Sequence, residues 1–216
     1  MNSRERQTVP IGTYIQSCHV PGEVALTFDD GPDMYTDELL DLLSLYNAKA
    51  TFFVNGLKLY GYESVIQRIV REGHQLASHT YSHADLTTLG DDQITEQMTS
   101  LETALQASTG VIPVYMRPPY LAVNDHVLSV MADLGYHVIG ASVDTKDYEN
   151  DHPDLIGHSV EKFTTQLDQG GTIVLAHDIR EQTVRTLVRI MLDKLADRGK
   201  RPTTVGACLG DSSYYR

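Results

Sequence analysis

The sequence is short of several residue types, and each shortage excludes a class of protein or site. Its 216 residues include no tryptophan and only two cysteines, Cys18 and Cys208. Two thiols so far apart cannot form a zinc site built mainly from thiolates. The sequence contains no run of 18 or more apolar residues and therefore predicts no membrane-spanning helix. Basic residues are also few, 17 against 29 acidic ones.

The resulting net charge of -12 bears on the choice of partner. A surface of this charge repels nucleic acid, and no cluster of lysines and arginines offsets it. A neutral or weakly charged substrate is more compatible with it. We therefore expect no nucleic-acid partner, and we expect a monomer.

The two cysteines bear on the compartment. A disulfide between Cys18 and Cys208 would close a ring around nearly the whole chain, for which loop entropy gives at most roughly 5 kcal/mol. Such a bond would favour an oxidising compartment, whereas two unrelated buried thiols are the alternative. Residues 1–10 are polar and lack the apolar segment of a signal peptide. The protein is then either cytosolic or follows a signal that has been removed.

Strand and helix patterns alternate through the whole chain without a linker, which predicts one domain over residues 1–216. Strand-like segments are residues 24–28, 50–54, 75–78, 114–116, 138–143, 172–176 and 203–206. Amphipathic helical segments are residues 36–46, 63–72, 91–108, 124–134, 155–168 and 184–198. Several strand segments are almost entirely apolar, as parallel strands buried on both faces are. We predict an α/β fold, a distorted parallel barrel of about seven strands, with an open doubly wound sheet as the alternative.

Five short polar motifs stand where apolar segments end. They are residues 27–32 (TFDDGP), 79–83 (HTYSH), 117–120 (RPPY), 144–148 (DTKDY) and 175–177 (LAH). The carboxyl ends of parallel strands meet on one face, and active sites are built there. Together the motifs supply an aspartate and two histidines for a metal ion, a second carboxylate, an arginine and a third histidine. These are the parts of a metal-assisted hydrolase.

The candidate metal ligands are Asp30, His79 and His83. Adjacent carboxylates such as Asp29 and Asp30 are unfavourable at the rim of a core unless a cation or a proton neutralises one. An ordinary Asp-Gly-Pro turn, with two surface histidines, is the alternative. Three protein ligands leave a coordination position open, which is typical of a catalytic metal site.

The other motif residues have more than one interpretation. His177 is a candidate metal ligand, general acid or polar end of a strand. Arg117 precedes two prolines that fix the backbone, which suits a charge-assisted bond to a carboxylate, although a surface ion pair is the alternative. Asp144 and Asp147 flank a short loop, and either one is a candidate for orienting a histidine.

In this order, the motifs resemble those of the polysaccharide deacetylase family, family 4 of the carbohydrate esterases. The resemblance covers about residues 24–206, and residues 50–56 and 73–80 look most like fungal chitin deacetylases. It implies a distorted barrel with fewer than eight strands and one divalent metal ion, zinc or cobalt. The expected disulfide, separately, leads us to expect a protein that is secreted or located in the cell wall.

The resemblance implies roles for the residues around the metal. Asp29 corresponds to the general base and Asp30 to the metal-binding aspartate. His79 and His83 correspond to the two metal-binding histidines. Arg117 corresponds to the arginine that holds the base.

Further roles concern the substrate and the leaving group. His177 corresponds to the general acid, and Asp147 to the aspartate that orients it. The backbone amide of Tyr120 corresponds to the oxyanion donor, and Leu175 to the apolar wall near the acetyl methyl. The family usually has tryptophan after the orienting aspartate, whereas this chain has Tyr148, so the substrate preference is less well defined.

The function that the resemblance implies is hydrolysis of the acetamide of N-acetylglucosamine units in chitin or chitin oligosaccharides, with release of acetate. A peptidoglycan N-deacetylase and an acetylxylan esterase are the alternatives within enzymes. A carbohydrate-binding module without catalysis is a remote alternative, since the intact motif residues argue against it.

Overall fold

Nine short strands form one sheet in the computed structural model, which describes residues 9–216. They are β1 (Tyr14–Ile15), β2 (Glu23–Asp29), β3 (Thr51–Val54), β4 (Gln75–Ser78), β5 (Tyr115–Met116), β6 (His137–Ile139), β7 (Val143–Asp144), β8 (Ile173–His177) and β9 (Arg201–Thr203). All pairings between these strands are parallel. The order across the sheet is β1-β6-β5-β4-β3-β2-β8-β7, with β9 beside the start of β2.

β6 and β7 follow one another in the chain but lie near opposite ends of the strand order, β7 at one edge and β6 next to the edge strand β1, so the sheet curls into a nearly closed barrel. From Ile139 to Val143 the chain spans at most about 14 Å, so the two ends of the sheet are close together. The prediction of a parallel barrel is confirmed, but the sheet has nine strands in place of about seven, because β1 was not predicted and one predicted strand is two. The predicted single strand at residues 138–143 is wrong, since the chain leaves β6, next to one edge of the sheet, at Ile139 and enters β7, at the other edge, at Val143.

Within residues 9–216, seven α-helices pack around the sheet. They are α1 (Thr36–Leu45), α2 (Glu63–Arg71), α3 (Asp91–Thr109), α4 (Asp125–Asp133), α5 (Ile156–Asp168), α6 (Val188–Asp197) and α7 (Val205–Leu209). The first six lie within the predicted helical segments, give or take one residue. The predicted strand at residues 203–206 is wrong beyond Thr203, because the Thr204 side chain caps α7 by accepting a hydrogen bond from the Ala207 amide at 3.2 Å.

Burial explains the apolar strand segments. All seven residues of β2 are buried, including the polar Thr27 and Asp29 near its carboxyl end. Helix α2 turns Val65, Ile66 and Ile69 toward the core. The core of the sheet is mostly apolar, and polar residues buried at both ends of its strands need specific partners.

A disulfide joins Cys18 and Cys208, whose Cα atoms are 5.0 Å apart. It ties the segment between β1 and β2 to α7. Between residues 9 and 216, no helix is long and apolar enough to cross a membrane. The predicted domain also includes residues 1–8, which lie outside the described part of the chain.

Candidate active site

The motifs meet at the carboxyl ends of the strands, around a cavity of about 520 Å³. Nine of the residues named from the sequence line it directly: Asp29, Asp30, His79, His83, Tyr120, Asp144, Tyr148, Leu175 and His177. Arg117 and Asp147 lie behind this wall and are fully buried. The fold thus brings together residues from five separate segments, as expected for the active face of a parallel barrel.

Asp30, His79 and His83 form a compact donor cluster, with one ligand atom of each residue within 4.8 Å of the others. Oδ1 of Asp30 lies 3.2 Å from Nε2 of His83 and 3.5 Å from Nε2 of His79. Nδ1 of His79 is 2.8 Å from the carbonyl oxygen of Arg117. Because a carbonyl only accepts, Nδ1 carries the proton, and Nε2 is left with a lone pair facing Asp30.

The charges of this cluster suit a cation. Burial lowers the pKa of His79, so its imidazole is neutral. Burial alone would raise the pKa of Asp30, but the hydrogen bond from His83 and the neighbouring imidazoles lower it to about 2. The cluster therefore offers one carboxylate and neutral imidazole nitrogen, which are donors that zinc and similar ions accept.

Strained backbone holds several of these residues. Seven of the described residues other than glycine have a positive φ angle. Six of them lie in or beside the motifs, namely Asp30, Thr80, His83, Tyr120, Leu121 and Lys146; the seventh is Asn47. Asp30 has φ 72° and His83 has φ 58°. A residue with a side chain is sterically disfavoured in this conformation and adopts it only where the surrounding structure enforces it. Residues strained in this way are concentrated at functional sites.

Asp29 and Arg117 form a buried ion pair. Nη1 of Arg117 donates to Oδ1 of Asp29 at 2.8 Å and to Oγ1 of Thr27 at 2.6 Å, while Nη2 donates to the carbonyl of Gly140 at 2.8 Å. The guanidinium also lies 4.4 Å from the ring centroid of Phe53. One carboxylate oxygen of Asp29 is thereby fixed, and the other, Oδ2, lies toward the donor cluster.

His177 is held by Asp147. Nδ1 of His177 is 2.8 Å from Oδ1 of Asp147, and the His177 amide donates to Oδ2 at 2.6 Å. Burial alone would lower the pKa of His177, but the hydrogen bond and charge of Asp147 raise it to about 9. His177 is therefore cationic at neutral pH, and it lies outside the donor cluster found among residues 9–216. Asp144 makes no hydrogen bond to His177 and instead lies 3.4 Å from the amine of Lys146.

Several residues of the site were not identified from the sequence. Thr183, in a π-helical turn at Thr183–Leu187, donates to Oδ2 of Asp147 at 2.7 Å. Lys146 and Arg180 line the cavity. Thr27 and Lys146 lie inside the motifs, but nothing in their position along the sequence predicts that Thr27 bonds to Arg117 or that Lys146 lines the cavity. No sequence signal marks Thr183 or Arg180.

The substrate-facing residues differ in exposure. Leu175 is buried in the cavity wall, whereas Tyr120 is 69% exposed. The ring of Tyr148 meets that of His177 edge to face, with centroids 5.3 Å apart. Its hydroxyl contacts the amine of Lys146 at 2.5 Å. A phenol hydrogen-bonded at the rim thus occupies the place where the family usually has tryptophan.

Comparison with known proteins agrees with this geometry. Residues 16–139 match the family model described as polysaccharide deacetylase. The chain belongs to the polysaccharide deacetylase family. The resemblance inferred from the motifs is thereby confirmed.

Fungal members of the family are similar over nearly the whole chain. A chitin deacetylase of Pestalotiopsis sp is 53% identical over 97% of this chain and 72% of its own length. A chitin deacetylase of Arthroderma benhamiae is 48% identical over 97% of this chain, which spans only 58% of that protein. The solved structure of the chitin deacetylase from Colletotrichum lindemuthianum has a TM-score of 0.94 and 43% identity, covering 96% of this chain and 97% of that one.

Proposed function

We propose that this chain is a metal-dependent N-deacetylase that hydrolyses the acetamide of N-acetylglucosamine units in chitin or chitin oligosaccharides and releases acetate. One observation carries the proposal: a fixed carboxylate, Asp29, and a cationic imidazole, His177, line the same cavity as the Asp30, His79 and His83 cluster. The fungal relatives named chitin deacetylase support the choice of substrate.

The donor cluster fits a divalent ion, zinc or cobalt, because such ions accept imidazole nitrogen together with a carboxylate oxygen. Asp30, His79 and His83 would hold it. When bound, such an ion lowers the pKa of a water molecule and polarises a carbonyl group. The proton on Nδ1 of His79 is engaged by the Arg117 carbonyl, which fixes the ring with its Nε2 available.

Asp29 is the general base of the proposed reaction. Its Oδ1 is bonded to Arg117, so the free Oδ2 takes the proton from the attacking water. The oxyanion that forms on the acetamide receives a hydrogen bond from the backbone N–H of Tyr120. Leu175 supplies apolar contact for the acetyl methyl.

His177 is the general acid. Its Nδ1 is bonded to Asp147, so Nε2 delivers the proton to the leaving nitrogen of the sugar. An amide requires this step because an unprotonated amine is a poor leaving group. The raised pKa of His177 keeps the imidazole protonated at neutral pH.

The disulfide supports a secreted or cell-wall location, since such bonds persist in oxidising compartments. We propose that the protein acts there as a monomer. Peptidoglycan is a second candidate substrate, because a relative from Arthroderma benhamiae that is 50% identical over 96% of this chain is named a probable peptidoglycan-N-acetylglucosamine deacetylase. Both substrates carry the same N-acetylglucosamine unit.

Acetate release from three substrates tests the proposal. We expect the zinc-loaded protein to release acetate from chitin tetramer with a higher kcat/KM than from peptidoglycan fragments. Acetylxylan serves as the ester control. Release from acetylxylan alone would contradict the proposed function, and release mainly from peptidoglycan would replace chitin as the substrate.

A further inference from the structure

Arg180 lies in the cavity wall, three residues after His177. Its backbone N–H donates to the carbonyl of His177 at 3.3 Å. Three residues further on, Thr183 is bonded to Asp147 at 2.7 Å. The turn that carries Arg180 is thus attached at both ends to the His177 and Asp147 pair, so the start of its side chain is fixed relative to the proposed general acid.

The guanidinium group of Arg180 donates no hydrogen bond to any acceptor in the described part of the protein. Its Nε is buried and has no hydrogen-bond partner within the described chain. Two other arginines near the site behave differently: Arg117 is bonded to Asp29, and Arg185 is paired with Glu38 and Glu181. Leaving a buried donor unpaired costs free energy, and a chain with 29 acidic residues has many carboxylates that would pair with it. A donor left free at the wall of a cavity is available to a ligand.

The chemistry of the cavity indicates which ligand atoms it takes. A guanidinium has five N–H donors in one plane and no acceptor, so its partners are oxygen atoms. A carboxylated ligand is disfavoured, because Asp29, Asp30 and Asp144 line the same cavity. In the proposed reaction the acetyl oxygen and methyl already have partners. The oxygens still without partners near the leaving nitrogen are those of the sugar.

We propose that Arg180 binds hydroxyl or ether oxygens of the sugar unit that carries the leaving nitrogen. This assignment rests on the proposed function. It makes Arg180 a substrate-binding residue that acts on affinity and leaves the proton transfers to Asp29 and His177.

Steady-state kinetics on chitin tetramer test the assignment, with three variants of the full chain loaded with zinc. Arg180→Met keeps the apolar stem and removes the donors, and Arg180→Lys keeps only a point charge. Arg185→Met is the matched control, since Arg185 pairs with surface glutamates. We expect Arg180→Met to raise KM about tenfold, equivalent to about 1.4 kcal/mol, with kcat within about threefold of wild type. Arg180→Lys should raise KM by a smaller factor, and the control should not change it.

The dissociation constant of chitin tetramer, measured by calorimetry in an Asp29→Asn background, provides a second readout. There Arg180→Met should raise Kd by the same factor as it raises KM. An unchanged KM and Kd would overturn the assignment. So would a fall in kcat at constant KM, or an equal loss in the Arg185→Met control. If wild type itself releases no acetate, the proposed function fails; if wild type is active and Arg180→Met keeps its KM, only the role of Arg180 fails.

Discussion

Replacing Asp147 with asparagine tests how His177 is kept in its cationic form. The variant keeps the shape of the side chain and removes its charge. In the wild-type protein the pKa of His177 is about 9, against an ordinary value of 6.5. At 1.36 kcal/mol per unit, this difference corresponds to about 3 kcal/mol of folding stability.

The sign of the pH dependence follows from a raised pKa. The stabilising contribution of His177 is fully present below pH 6.5, where the unfolded chain also binds the proton, and is lost as the pH rises through 9. Asp147→Asn removes most of it. The variant also loses hydrogen bonds from the His177 amide and Thr183, but that loss is nearly independent of pH.

Urea denaturation at pH 5.5 and pH 10, with chelator present in both, separates the two contributions. We expect the variant to be less stable than wild type at both pH values, by about 3 kcal/mol more at pH 5.5 than at pH 10. Thr183→Val is the control, since it removes a neutral hydrogen bond to the same carboxylate. A stability difference that is equal at the two pH values would refute the role of Asp147 in holding the charge.

Three further predictions concern the base, the acid and the disulfide. Asp29→Asn should bind metal like wild type and lose at least about 100-fold in turnover; an empty metal site would mean that Asp29 is a ligand. His177→Ala should lose about 100-fold in kcat/KM on chitin oligomers and much less on an aryl acetate, whose phenolate leaves unaided; equal losses would contradict a general acid. Denatured, unreduced protein should show no free thiol, whereas two would contradict the Cys18–Cys208 bond, and reduction should lower stability by up to about 5 kcal/mol.

The sequence was informative about the site wherever position along a strand determines position in space. Asp29 and His177 are the last residues of β2 and β8, and Asp29 pairs in register with His177 across these neighbouring strands. Apolar segments that end in polar residues therefore predicted which side chains meet. The parallel barrel followed from the same alternation of strands and helices.

The remaining features depend on contacts between distant segments, which no local pattern encodes. Thr183 reaches Asp147 only because a π-helical turn places it there. The break between β6 and β7 after Ile139 arises where the chain crosses from one side of the sheet to the other. The sequence does not reveal it, because an apolar run looks the same whether it forms one strand or two. That the buried Nε of Arg180 has no hydrogen-bond partner can be seen only in the folded structure.

The central claim is that one ion held by Asp30, His79 and His83 is required for deacetylation. Acetate release from chitin tetramer, measured while chelated protein is titrated with zinc, tests it most directly. We expect activity to rise in proportion to bound zinc and to level off at about one ion per chain, with Asp30→Asn failing to bind zinc and to release acetate. Full acetate release from protein shown to be free of metal would contradict the account.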